Sequence, residues 1–453
     1  MTRTSKLTRR TFMQIGAGTL AAGSKAKLNL LEPAAMWGAG RAVAPSDRVR
    51  FASIGTGTRG CELLTASLEV PGVECVGVCD LYDSRHEAAQ EALKKQVPAT
   101  RNYREILDNK DIDAVIVAVP DHQHRRVTVD ACAAGKDVYC EKPMSHNVED
   151  GFAMVDAVQK NNRVMQVGSQ RVSSIVYEKG REVFASGALG DVYFIEASLN
   201  RNSPGGAWVY PIPSDASEKT IDWNQFLVGA PQRPFDAARF FRWRCFADYG
   251  EGLAGDLFVH LLSGIHFVSG IDEVPQRALS TGGLFRWKDG RDFPDLIETA
   301  YTYPNFRVSL SCNLNNESGE LIRFYGTKGT LEIVNQTLTF TPQDIAPRPE
   351  TYSTKGWPAR LRNEYWAEWA AEHPAAAPLD YQAVESEIFT VPYGYNDVAA
   401  HQANFFNSVR TRKTPVENQT FGNHAALGCH LANYSYFKKT PAVWNADTKT
   451  ITG

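Results

Sequence analysis

The stretch that decides the fold is Val49-Arg50-Phe51-Ala52-Ser53-Ile54-Gly55-Thr56-Gly57-Thr58-Arg59-Gly60. Residues 49–54 are β-prone and run straight into a G-x-G-x-x-G turn, and residues 61–68 after it have helical character. Glycine-rich turns are common, but one placed between a strand and a helix has a specific mechanical use. The first glycine permits a tight turn, and the second lets the backbone approach a pyrophosphate. The third allows the helix to pack closely on the strand, so that the helix N-terminus faces the phosphates.

The reading extends in both directions from this loop. The next β-run, residues 73–78, ends at Cys79-Asp80, and Asp80 follows the last glycine by 20 residues. An acidic side chain there can accept hydrogen bonds from an adenine ribose and repels a 2′-phosphate, which favours NAD. Arg85 lies close in sequence and keeps NADP open. Residues 112–119 form a near-continuous apolar run, the mark of a parallel strand buried on both faces. Helix, strand, helix and strand then alternate to about residue 167, giving the βα repeat of a doubly wound sheet.

Composition narrows the function classes. The chain has 453 residues, more than one core usually holds, so two domains are expected. Its formal net charge of −3 argues against a nucleic-acid or anionic-membrane partner. The eight cysteines make no C-x-x-C pair and no histidine cluster has zinc spacing, so neither a metal site nor a disulfide framework is expected. Cys75 and Cys79 fall on one face of a strand and read as small buried hydrophobes.

The N-terminus differs from the rest. Thr8-Arg9-Arg10-Thr11-Phe12-Met13 and the Gly/Ala-rich residues 15–22 resemble a twin-arginine export signal. The apolar part is too short to span a membrane permanently. Ala42-Val43-Ala44 has the form of a cleavage site, although Pro45 would hinder a peptidase. Residues 1–46 are therefore read as signal and linker, with a periplasmic destination and a cytoplasmic one if the signal reading is wrong. A folded protein exported with its cofactor has little free NAD(H) to draw on, which points to a tightly held cofactor.

Together, the glycine loop, Pro120-Asp121-His122-Gln123-His124, Ala134-Gly135-Lys136, Glu141-Lys142-Pro143, residues 252–260 and Gly326-Thr327-Lys328-Gly329 resemble the glucose-fructose oxidoreductase / inositol dehydrogenase (Gfo/Idh/MocA) family. The likeness runs from about Asp47 onward. It implies a Rossmann domain over residues 47–170. A substrate and oligomerisation domain over 171–453 follows, α+β with a large, open, mostly antiparallel sheet. It also implies cofactor contacts from Gly55, Gly57, Thr58, Arg59, Gly60, Asp80, Pro120, Asp121, His124, Glu141, Lys142 and Gln170, and a dimer or tetramer.

The chemistry is expected from Lys142, Asp256 and His260. Lysine beside an oxidised nicotinamide suits proton handling, and a cis bond at Pro143 is open. Asp256 and His260 are four residues apart and share a helical face, so the carboxylate is expected to orient the imidazole as a base. Many members of the family carry an aspartate where this chain has Ser263, and His266 reads as a packing residue. His424 and Tyr434 are weaker pocket candidates. The long irregular stretch from residue 200 to Pro234, with Trp208, Tyr210 and Trp223, is placed to cover a sugar site. Three functions follow: oxidation of a CH–OH group in a sugar, glycoside or cyclitol; redox-assisted glycosidase or lyase chemistry; and non-catalytic sugar binding.

Overall fold

The computed structural model describes Ala44 and residues 47–344, 348–374 and 386–453. The twin-arginine-like stretch lies outside these residues. Strand β1 (Val49–Ile54) enters the glycine loop and leaves it as helix α1 (Thr58–Leu68). Around β1 are β2 (Val73–Cys79), β3 (Ala99–Thr100), β4 (Ala114–Val117), β5 (Asp137–Cys140) and β6 (Met165–Val167), in the order β3-β2-β1-β4-β5-β6. All neighbours in this sheet are parallel. Every residue of β4 and β5 is buried, because helices cover both faces.

The run read as a strand over 112–119 pairs only over Ala114–Val117. Its end is claimed by the turn: Gly55 has φ +91°, and a Cβ there would lie 2.4 Å from the Ala118 carbonyl oxygen. The chain must leave the sheet at that point to make room for the glycine loop.

Among the described residues the second sheet has ten strands, in the order β14-β13-β12-β11-β7-β10-β9-β8-β15-β16. They are β7 (Val192–Asn200), β8 (Arg277–Gly283), β9 (Leu296–Thr302), β10 (Arg307–Asn313), β11 (Gly319–Gly326), β12 (Gly329–Val334), β13 (Thr337–Pro342), β14 (Glu387–Thr390), β15 (Ala442–Asn445) and β16 (Thr450–Thr452). Among the described residues of this sheet, only β7 and β10 pair in parallel. Burial alternates along β9 and β10, as expected when one face packs and the other stays open. Val308, Leu310, Ile322 and Phe324 point into the same core as Val259, Leu261, Leu262 and Ile265 of the helix Val259–Ser269.

Two late helices tie the sheets together. Asp397–Thr411 packs on α1, with Phe406 against Phe51 and Ser67 Oγ hydrogen-bonded to Gln402. Gln419–Lys438 brings Gly422 against Val167 of β6, where a Cβ would meet the valine at 2.4 Å. Among the described residues no helix is long and apolar enough to cross a membrane.

Candidate active site

A cavity of about 400 Å³ runs from the glycine loop to the start of the helix carrying His260. Its walls include Gly55, Gly57, Thr58, Arg59, Gly60, Asp80, Pro120, Asp121, Glu141, Lys142, Gln170, Asp256 and His260. Thirteen of the fourteen expected site positions, from Gly55 to His260, thus share one wall system. His124 alone stands behind it. Its Nδ1 lies 2.8 Å from the Pro143 carbonyl and its Nε2 2.9 Å from the Val119 carbonyl, so whichever nitrogen carries the proton donates to backbone. It braces the turn that carries Lys142 and does not face the cofactor space, a correction to the sequence reading.

The loop has the form a dinucleotide needs. A Cβ on Gly60 would sit 2.1 Å from the Gly55 oxygen, so α1 can approach β1 this closely only with glycine. No side chain caps the N-terminus of α1, which leaves its first N–H groups available to an anion. Asp80 Oδ2 accepts from Thr56 N at 2.8 Å, and Oδ1 accepts from Tyr82 N at 3.0 Å. Arg85 reaches the same carboxylate at 3.4 Å and lies over the rings of Phe240 and Phe241. On the opposite wall Arg59 Nε donates to Glu141 Oε1 at 2.8 Å.

At the other end Lys142 precedes a cis Pro143. Its Nζ donates to Asp256 Oδ1 at 2.8 Å and to the Asp256 carbonyl at 2.9 Å. Arg244 Nε donates to the same carboxylate at 3.1 Å, and Trp208 Nε1 donates to Oδ2 at 3.2 Å. Burial opposes ionisation of Asp256, but Lys142, Arg244 and Arg201 outweigh it and hold the carboxyl well below the usual range. Trp208 makes its contact from a left-handed backbone, φ +61°, which costs a bulky residue about 1–2 kcal/mol.

The expected Asp256–His260 hydrogen bond is not made. Residues 254–258 form a π turn, whose wider spacing removes the stacking that an α-helix gives to positions four apart. Asp256 consequently faces Lys142, and His260 Nδ1 is buried with no hydrogen-bond partner. Burial, followed by the charges of Lys142 and Arg171, keeps His260 neutral. A neutral imidazole on the cavity wall can accept a proton; Asp256 acts on it through space and not by contact.

Sequence reasoning did not single out Arg201 or Arg244 as site residues, although both follow recognisable signals. Arg201 comes directly after the end of β7, and Arg244 lies beside Trp243, over whose ring its guanidinium sits at 4.2 Å. His266 packs on Tyr303 and Phe421, as read. His424 is engaged with Asp272, and neither it nor Tyr434 is on the cavity wall.

The irregular stretch after β7 crosses to the first sheet. Ile221 forms a β-bridge with Tyr82, Asp222 N donates to the Leu81 carbonyl at 2.8 Å, and Gln123 Nε2 donates to the Phe226 carbonyl at 2.9 Å. Tyr82, Trp223, Phe226, Phe240, Phe241 and Tyr249 form one apolar cluster at this crossing. Each buried ring contributes about 2 kcal/mol, so the stretch is a packed strap and not a loose flap.

A parallel doubly wound sheet, a glycine loop at a helix N-terminus and an acid at the end of β2 define a dinucleotide-binding fold. Residues 49–169 match the family model GFO_IDH_MocA, described as an oxidoreductase family with an NAD-binding Rossmann fold. This part of the chain is therefore similar to the NAD-binding domain of that family. Inositol 2-dehydrogenase of Salmonella typhimurium is 33% identical over 122 residues, 27% of this chain and 36% of the relative. Levoglucosan dehydrogenase of Pseudarthrobacter phenanthrenivorans is 30% identical over 164 residues, 33% of this chain and 42% of the relative. The matched segment therefore spans well under half of these relatives. In three dimensions, a levoglucosan dehydrogenase in complex with NADH superposes with a TM-score of 0.63 at 15% identity, over 87% of this chain and 98% of that one. An aldose-aldose oxidoreductase from Caulobacter crescentus gives 0.61 at 17% identity, over 87% and 99%. These likenesses show that the two-sheet fold is shared.

Proposed function

We propose that the protein is an NAD-dependent oxidoreductase acting on a CH–OH group of a sugar, glycoside or cyclitol. The observation that carries this reading is the grouping of Lys142, Asp256 and His260 on the cavity that begins at the glycine loop. When bound, NAD supplies the hydride acceptor. The chain's own residues handle the proton. Lys142, positioned by Asp256, donates a hydrogen bond to the substrate oxygen and stabilises the negative charge that grows on it. His260 takes the hydroxyl proton, and the carboxylate of Asp256 favours the resulting imidazolium.

The inositol and levoglucosan dehydrogenases among its relatives support a polyol substrate. The residues around Lys142 would serve substrate, with residues 47–170 acting as cofactor domain and 171–453 as substrate and oligomerisation domain. Replacing Lys142 or His260 by alanine is expected to abolish NADH formation from a sugar panel while NADH still binds. Full activity in both variants rejects the assignment.

The strap supports a retained cofactor, since Phe226, Phe240 and Phe241 of its aromatic cluster line the same cavity. Retention suits a redox-neutral cycle, in which transient oxidation acidifies a neighbouring C–H and a glycosidic bond is eliminated before the hydride returns. Solvent deuterium in the product without net NADH separates this reading from simple oxidation. Export by the twin-arginine route rests on residues 8–22 and is tested by whether an R9K/R10K variant still reaches the periplasm.

A further inference from the structure

The substrate end of the cavity holds more positive than negative charge. Lys142, Arg201 and Arg244 all act on the single carboxylate of Asp256. Glu141 is on the wall but is paired with Arg59. Asp121 is also there, and its burial pushes the carboxyl well above the usual carboxylate range, towards the neutral form. His260 is neutral. A surplus of positive charge is therefore left facing space that the protein does not fill.

Arg201 is the side chain least accounted for by the protein. Its backbone N–H closes the end of β7 on the Asn313 carbonyl at 2.9 Å. Its guanidinium makes no hydrogen bond or ion pair with any described residue, although a carboxylate lies near enough to feel its charge. The stem is nevertheless held: a Cβ on Gly206 would lie 3.1 Å from Arg201 Cβ and 3.3 Å from Cδ, so the bare glycine gives the stem a flat surface to lie on. Arg244 is likewise steadied, by Trp243 on one side and by Asp256 at Nε. Its two terminal nitrogens have no partner among the described residues. Two guanidinium groups, one wholly unpaired and one half-paired, are thus fixed beside Lys142 and His260. Planar forks of this kind match a carboxylate better than a hydroxyl, which gives one bond where a carboxylate accepts two.

We propose that the substrate carries a carboxylate, as a uronate- or aldonate-type sugar acid does, and that Arg201 with Arg244 binds it while the neighbouring CH–OH group faces Lys142 and His260. This rests on the oxidoreductase reading above and adds the substrate class to it. The cofactor diphosphate does not account for these groups. It belongs at the N-terminus of α1, whereas Arg201 acts on Asp256, His260 and Tyr210.

The test uses the NAD-loaded protein with three probes of one shape: a hexuronate, its neutral hexuronamide and the parent hexose. NADH formation gives kcat/KM, and quenching of the wall tryptophans Trp208 and Trp243 gives binding to the NADH-loaded form. The hexuronate is expected to exceed the amide by about tenfold or more in both measurements, because its hydrogen bonds are charge-assisted. Arg201→Gln should bring that ratio close to one, and Arg201→Lys, which keeps the charge but not the fork, should restore part of it. Equal values for acid and amide in the natural chain would overturn the proposal. So would an Arg201→Gln variant that lowers both probes equally, or one that loses bound cofactor. Binding of hexuronate that depends on Arg201 but never reduces the cofactor would leave the carboxylate site standing and remove the dehydrogenase reading. Absence of binding and reaction with every acid and neutral probe would remove both.

Discussion

Replacing Asp256 by asparagine separates the structure's account of the site from the one the sequence suggests. The carboxylate accepts from Lys142 Nζ at 2.8 Å and Arg244 Nε at 3.1 Å through one oxygen, and from Trp208 Nε1 at 3.2 Å through the other. Asparagine has the same shape but only one accepting atom, so its NH2 group must face a donor on one side or the other. Lys142 and Arg244 also lose their counter-charge inside the protein. Removing one partner of a buried ion pair costs about 3–5 kcal/mol. The Asp256 carbonyl still receives Lys142 at 2.9 Å, which places the cost near the lower end, about 3 kcal/mol. Urea unfolding should show a loss of that order. Turnover should fall by about a hundredfold, because the lysine is no longer fixed over the reacting oxygen. NADH titration should be little changed, since the glycine loop lies at the far end of the cavity. A variant with natural stability and natural turnover would refute the Lys142–Asp256 reasoning. A variant with natural stability that fails only in the acid limb of its pH profile would instead favour a direct Asp256–His260 pair.

Other consequences follow from packing and burial. Gly60→Ala puts a carbon 2.1 Å from the Gly55 oxygen, where both sides are backbone. It should cost about 1–3 kcal/mol of stability and about tenfold or more in NADH affinity by fluorescence titration; natural affinity would mean that the loop is not the phosphate site. His122, His266 and His401 are lowered to about 4, chiefly by burial. The unfolded chain binds their protons near pH 6.5 and the folded chain does not, so their stabilisation is complete above that pH and declines as pH falls towards 4. Together the three contribute a slope of about 4 kcal/mol per pH unit across that window. His266→Gln should make the urea-derived profile shallower by about 1.4 kcal/mol per pH unit, and an unaltered slope would count against it. Asp215 receives the hydroxyls of both Tyr82 and Ser84 where the strap meets the first sheet. Asp215→Ala should therefore speed NADH release in stopped-flow displacement, and an unchanged rate would show that the strap does not hold the cofactor.

Much of the first sheet was legible because its signals are local. Gly55, Gly57 and Gly60 are set by the backbone geometry of one turn, and Asp80 by the distance to the end of the next strand. The apolar run at residues 114–117 reports burial on both faces without reference to any distant residue. The helix Ile175–Ala185 and the start of β7 at Val192 were legible for the same reason. The strap was only partly so. Its aromatic residues stood out in an irregular segment, but their docking on Tyr82 depends on contacts more than a hundred residues apart.

The sequence by itself determined the dinucleotide loop, the acid at the end of β2 and the chemical types at Lys142, Asp256 and His260. Tertiary structure decided how those three are paired. A spacing of four residues implies a shared face only while the helix keeps 3.6 residues per turn, and the π turn at 254–258 breaks that premise. Asp256 then meets Lys142, which arrives from the other sheet, and His124 becomes a brace because its two nitrogens find backbone carbonyls. The unpaired guanidinium of Arg201 is likewise invisible in sequence, since lacking a partner is a property of the folded surroundings and not of the residue.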